Sequence, residues 1–139
     1  GVAMISLGLA EAVFEDCLAY SRERMAFGKP IGQFMAIQHY LANMATEIEL
    51  ARNLIFKCAW LCDVGQPYHV EATMAKMYAA DVALRAATVG MEIFAGYGYT
   101  MESDIQRYWR DSQQMVFSPI SQEMSRNFIA QCYGLPKSF

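Results

Sequence analysis

The stretch IQHYLANMATEIELARNLIFKCAWLC, Ile37 to Cys62, places apolar side chains at Ile37, Leu41, Met44, Ile48, Ala51, Ile55, Cys58 and Cys62. Intervals alternating between four and three keep this set on one side of an α-helix and hold that seam against a partner helix. A long helix with one buried side is expected. Working toward the start of the chain, Val2, Ile5, Leu9, Val13, Cys17 and Tyr20 repeat the same intervals. They predict a first helix running to about Phe27, closed by Pro30 and Gly32. Toward the other end, Asp63-Val64-Gly65-Gln66-Pro67 has the composition of a turn, with glycine for a left-handed helix end and proline to forbid continuation.

A third helix follows on Met77, Ala80, Leu84, Ala87, Met91 and Phe94, whose alanines permit close approach of neighbouring backbones, and it should end before Ala95-Gly96-Tyr97-Gly98. Glu102 to Arg110 reads as a short helix and Ser121 to Cys132 as another, with Pro119 and Ser121 suited to a helix start. No strand pair is required. Short links between long amphipathic helices make antiparallel neighbours, so the expected fold is all-α: one domain, residues 1–139, built as an up-and-down four-helix bundle whose last member is in shorter pieces.

With 139 residues, 55% hydrophobic and 18% charged, the chain can bury a sizeable core and does not read as disordered. A formal charge of −3 and the lack of any Lys/Arg run give no footing to nucleic acid or an anionic membrane. Charged residues such as Glu11, Glu15 and Asp16 interrupt each apolar run short of the roughly 20 residues a membrane-spanning helix needs, so a soluble protein is expected. The chain starts at Gly1 rather than Met and shows no signal peptide, which reads as a fragment or processed chain with functional residues upstream. Cys17, Cys58, Cys62 and Cys132 lack disulfide-scaffold clustering and read as reduced thiols. Cys58 and Cys62 share a helix face, but neither His39 nor His69 stands near in sequence to complete a metal site, and no metal is expected. The ten methionines fall mostly on the buried stripes and read as core packing.

Two constellations carry chemistry. Arg22-Glu23-Arg24-Met25-Ala26-Phe27-Gly28-Lys29-Pro30-Ile31 ends a helix with paired arginines and turns on glycine. By local physics it is either a cationic helix end that complements the dipole or a grip for a polyphosphate. Ala95-Gly96-Tyr97-Gly98 is either a plain helix-to-helix turn or, since glycine lets backbone N–H groups come close, a phosphate edge.

The first of these runs, followed by Gln38 and the long helix through Ala59-Trp60, resembles the carboxy-terminal helical domain of acyl-CoA dehydrogenases. So does Ile93 to Glu102 continuing through Arg107-Tyr108-Trp109-Arg110-Asp111, which is similar to that family's Gly-Gly-x-Gly-Tyr region and its Arg-Asp segment. The likeness covers essentially the whole chain. It implies a last domain, with an amino-terminal helical domain and a middle β-domain absent from this sequence, and FAD lying between domains and across a subunit interface. It implies that Arg24 supports the FAD pyrophosphate of a neighbouring subunit, that Phe27 lies near the adenosine half, and that Glu92, Gly96, Gly98 and Ser121 approach the cofactor. The activity implied is α,β-desaturation of an acyl-CoA thioester by a homo-oligomer, dimer or tetramer, in the cytoplasm or, in a eukaryote, the mitochondrial matrix. The domain alone should be inactive.

Departures from the family's pattern define what is missing. Met35 stands where a flavin-contacting glutamine is usual, and Glu92 where another glutamine is usual, which would set a carboxylate near a pyrophosphate. In the stretch Ser118-Pro119-Ile120-Ser121, Pro119 takes the position of the catalytic glutamate. The catalytic residue is therefore unknown. The base belongs to the first helix upstream of Gly1, or the full protein uses the fold otherwise, as a non-catalytic partner subunit or a flavin-dependent oxygenase, or Glu123 substitutes. Glu123 also reads as an ordinary first-turn carboxylate behind the cap Ser121, and Asp111 reads as structural beside Arg110.

Overall fold

Five helices and one two-residue strand pair follow each other along the chain: α1 (Val2–Glu23), β1 (Met25–Ala26), β2 (Lys29–Pro30), a 3-10 turn at Ile31–Gln33, α2 (Met35–Asp63), α3 (His69–Tyr99), α4 (Ile105–Phe117) and α5 (Gln122–Cys132). The structure, a computed structural model, describes residues 1–137. The all-α bundle is as expected. α3 is its hub, packing on α1, α2, α4 and α5, so α4 and α5 together make the broken fourth member. Among the described residues no helix is long and apolar enough to cross a membrane.

The core is finer-grained than the periodicity implied. Met44, Ile48, Ala51 and Ile55 of the α2 stripe are buried, whereas Cys62 at its end is exposed. From α1 come Val13 and Cys17, as expected, joined by Leu7 and Ala10 rather than by Val2, Ile5 and Leu9, of which Ile5 points to solvent and the other two are half-buried. α3 contributes mainly alanines, with Ala75, Ala79, Ala80, Ala83, Ala86 and Ala87 all buried, and these bring the helix axes close. A Cβ placed on Gly90 would meet Val13 Cγ1 at 2.9 Å and Cys17 Sγ at 3.4 Å, a measure of how tightly α3 lies on α1. The methionine expectation fails. Only Met44 of the ten is buried, and Met4, Met25, Met35, Met101 and Met124 are exposed, because small side chains already fill the space between closely approaching helices.

Three boundaries moved, each for a local reason. α1 stops at Glu23 rather than Phe27: Arg24 turns extended (φ −69°, ψ 119°), and Phe27 (φ 52°) and Gly28 (φ 80°) form a two-residue turn with positive φ at both positions. Such a turn matches the twist of a hairpin, so a strand pair does exist, with Met25 opposite Pro30 and Ala26 opposite Lys29. α3 breaks at Ala95 as expected, at a kink with non-helical backbone (φ 50°, ψ −137°), but helical backbone resumes beyond it, so the outer bound lies later, at Tyr99. The helix expected at Glu102 to Arg110 begins at Ile105, where Ser103 Oγ accepts from the Ile105 N–H at 3.3 Å, and runs on to Phe117.

Candidate functional site

The end of α1 and the bend of α3 meet at one cavity of about 620 Å³ lined by Tyr20, Arg24, Ile31, Ile93, Phe94, Ala95, Gly96 and Tyr97. Two segments about seventy residues apart in sequence are thereby joined. Arg24 reaches this position because its own N–H still closes the last turn of α1 on Tyr20 O (2.8 Å) while its carbonyl accepts from Ile31 N–H (2.8 Å), which fastens the hairpin beneath it. Its guanidinium is uncommitted: the ion pairs among the described residues draw on Arg52, Lys57, Arg85, Arg107 and Arg126, and Arg24 joins none. Tyr20 stacks on Phe94 with ring centroids 4.1 Å apart, and Tyr97 lies 6.1 Å from each, giving the cavity an aromatic wall.

The bend is what turns Gly96 to this cavity. A Cβ on Gly96 would meet nothing within 4 Å, so its backbone is open to a ligand, whereas one on Gly98 would strike Phe94 Cβ at 2.7 Å. Gly98 is buried and serves close packing on Phe94 and Ile105. Phe27 projects from the hairpin tip with 96% of its surface exposed, edge-on to Phe34 at 6.1 Å, while Lys29 Nζ sits 4.4 Å from the Phe34 ring. A phenylalanine held at positive φ and offered almost wholly to solvent is costly unless something covers it.

The remaining sequence candidates lie elsewhere. Glu92 lines a separate cavity of about 560 Å³ with Thr88, Met91, Tyr99, Gln106, Trp109 and Arg110. Its hydrogen bonding and charge raise the Tyr40 phenol above its usual value. No carboxylate therefore lines the Arg24 cavity, and Arg110 stands beside Glu92 in its own. Ser121 caps α5, accepting from Met124 N–H at 3.3 Å, and does not line the Arg24 cavity. Glu123 is held below the ordinary carboxylate range by hydrogen bonding to the backbone at the helix start and to Ser121, which suits a cap-region anion and not a proton acceptor. Pro119 lines a third cavity, of about 620 Å³, with Lys76 and the first residues of α1.

An unpaired guanidinium, an open glycine backbone and a stacked aromatic wall together fit an anion attached to flat or apolar surface. The family model described as "Acyl-CoA dehydrogenase, C-terminal domain" matches residues 1–133. The chain belongs to that family. Among acyl-CoA dehydrogenase relatives, the short-chain-specific enzyme of Megasphaera elsdenii is 45% identical over 113 residues, covering 81% of this chain and 30% of that protein. Benzylmalonyl-CoA dehydrogenase of Aromatoleum aromaticum is 41% identical over 127 residues, 91% of this chain and 34% of that protein. The solved butyryl-CoA dehydrogenase of Megasphaera elsdenii superposes with a TM-score of 0.94 at 39% identity, covering 96% of this chain and 35% of that one. The chain thus spans about a third of the length of the curated relatives it matches. The family is one of flavoprotein oxidoreductases.

Three features of the site were not read from the sequence. Tyr20 was assigned to a core stripe, and its stacking on Phe94 depends on the α1–α3 crossing. The positive φ of Ala95 has no sequence signal, since alanine ordinarily favours helix. Lys76 did leave a trace, as the one lysine within the alanine-rich run Ala72 to Ala87.

Proposed function

We propose that this chain is the FAD-contacting, oligomer-forming bundle of an acyl-CoA dehydrogenase whose full-length subunit also carries an amino-terminal helical domain and a middle β-domain. The observation that carries the reading is the uncommitted Arg24 guanidinium sharing a cavity with the open Gly96 backbone and the Tyr20–Phe94 stack. Arg24 would hold the cofactor pyrophosphate through charge-assisted hydrogen bonds, the planar fork taking two oxygens at once. Phe27, presented on the hairpin turn, would cover the adenosine half in a neighbouring subunit. Bound FAD supplies the oxidising equivalent for α,β-desaturation of an acyl-CoA. The bundle's own residues bind and orient, and the carboxylate that removes the α-proton comes from outside this sequence.

In full-length protein, Arg24→Ala should weaken FAD retention by about 1 to 3 kcal/mol, the worth of a hydrogen bond to a charged group, read as released flavin absorbance on dilution. Retention unchanged from the parent would remove Arg24 from the cofactor site. Anaerobic bleaching of the bound flavin by an acyl-CoA tests the activity, and a colourless protein that cannot be reconstituted with FAD would sink the enzyme reading.

One observation favours a second reading, a partner subunit without catalysis or an oxygenase on the same fold. The α4–α5 connection, Ser118 to Ser121, carries no carboxylate, and Glu123 beyond it is held below the ordinary carboxylate range by hydrogen bonding to the backbone and to Ser121. Bound flavin that no acyl-CoA bleaches would select this reading.

A further inference from the structure

Lys76 is the only buried lysine among the described residues, with 7% of its surface exposed, and it has no carboxylate in direct ion pairing. Its Nζ donates to Val116 O at 3.1 Å, to Ile120 O at 2.5 Å and to Gln122 Oε1 at 3.4 Å. An ammonium has three donors, and all three are spent here. The two carbonyls bracket Phe117 to Pro119, so the ammonium spans the base of the connection between α4 and α5. Gln122, only 3% exposed, completes a clasp by donating Nε2 to Met77 O (2.9 Å) and Asp81 Oδ1 (2.7 Å).

A buried charge is an inefficient way to add stability, because an apolar side chain of similar size often does as well without the desolvation cost. What the ammonium provides is location. The connection has no regular backbone pairing of its own to define its height over α3, and carbonyls at both of its ends converge on one donor carried by the most tightly packed helix. The same Lys76 and the Pro119 it holds line one cavity together with the start of α1.

We propose that Lys76 is a positioning residue that clasps the α4–α5 connection, setting where Ser118 to Ser121 stand relative to the bound flavin and thioester. The catalytic consequence rests on the dehydrogenase reading above, whereas the clasp itself does not. Burial pulls the ammonium below its usual value, opposed by Asp81 and Glu123, so both fields that keep it charged come from residues packed around the clasp.

The test uses full-length protein with Lys76→Met, which keeps length and loses charge, and Lys76→Arg, which keeps charge. Losing charged hydrogen bonds should speed hydrogen–deuterium exchange in the peptide spanning 116–122 by about tenfold or more in Lys76→Met, with α1 unchanged. The rate constant of anaerobic flavin bleaching by butyryl-CoA should fall about tenfold at saturation, with FAD content intact and apparent affinity altered less than about threefold. Lys76→Arg should recover part of both. Unchanged exchange overturns the clasp. Faster exchange with unchanged bleaching overturns the positioning role, because a merely structural lysine would give that result. If the parent protein is not bleached, the dehydrogenase reading fails and takes the catalytic consequence with it, and exchange alone decides the clasp. Should Lys76→Met not fold, Gln122→Met, which removes one acceptor and leaves both carbonyls, should speed exchange in the same peptide by about threefold, and no change there overturns the clasp.

Discussion

Ala95→Gly should stabilise this protein, although replacing alanine by glycine in a helix ordinarily does the reverse. Ala95 holds φ 50° and ψ −137° at the kink near the end of α3, a region where a Cβ collides with its own backbone. Such a conformation costs a non-glycine residue about 1 to 3 kcal/mol. Opposing the relief, glycine's wider freedom in the unfolded chain costs about 0.4 to 1 kcal/mol. The methyl group is solvent-exposed, so its removal forfeits little apolar burial. The net gain is about 0.5 to 2 kcal/mol, or roughly 2 to 6 °C in midpoint for a chain of this size. Equilibrium urea unfolding followed by far-ultraviolet circular dichroism measures it. Gly96→Ala supplies the contrast: Gly96 has no positive φ and open space around it, so adding a methyl there should stabilise by a few tenths to about 1 kcal/mol. Opposite substitutions at adjacent residues should thus act in the same direction. A loss of stability in Ala95→Gly would refute the strained bend, and with it the reason Gly96 opens toward the Arg24 cavity.

Gly90→Ala should destabilise by about 1 to 3 kcal/mol, since the new Cβ presses on the fully buried, β-branched Val13 at 2.9 Å; denaturant unfolding checks it, and Val13→Ala in the same chain should restore part of the loss. The Cys17 thiol is pushed up from 9.0 to about 12 by burial, with Asp16 adding to the shift. The folded state therefore keeps its proton between those values while the unfolded chain loses it, so stability falls with rising pH across that window by up to about 1.4 kcal/mol per unit. Cys17→Ala should flatten that slope in urea titrations from pH 8 to 11, and in native thiol labelling at pH 8 Cys62 and Cys132 should react well before Cys17.

Much of the architecture was legible before any coordinates. The α2 stripe was read correctly at Met44, Ile48, Ala51 and Ile55 because a helix that lays one side against its neighbours, here α1 and α3, and leaves the other to solvent shows its burial as a simple period. α3 was read less well. As the hub it meets four helices, so it is buried around much of its circumference: the stripe through Met77, Ala80, Leu84, Ala87, Met91 and Phe94 found Ala80, Ala87 and Phe94, whereas Ala75, Ala79, Ala83 and Ala86 are buried as well. The hairpin at Met25–Pro30 escaped because two residues per strand have no period to detect, although the adjacency of Phe27 and Gly28 is compatible with its turn. Of the residues named for the site, Arg24 and Gly96 came together. Glu92 lines another cavity, because residues four apart on a helix can face different neighbours once the helix bends, and Ser121 sits at the start of α5, away from the Arg24 cavity.

Side-chain periodicity, turn residues and two short motifs, all local in the chain, were enough by themselves to establish an all-α bundle and its family. Tertiary structure alone decided which of those motifs meet. The Arg24 cavity exists because α1 and α3 cross closely enough for Tyr20 to stack on Phe94, and because a bend at Ala95 swings the following backbone toward the end of α1. The Lys76 clasp likewise depends on carbonyls forty and more residues away in sequence. Contacts of that range are set by how helices pack, and packing reflects the summed fit of many small side chains rather than the identity of any one.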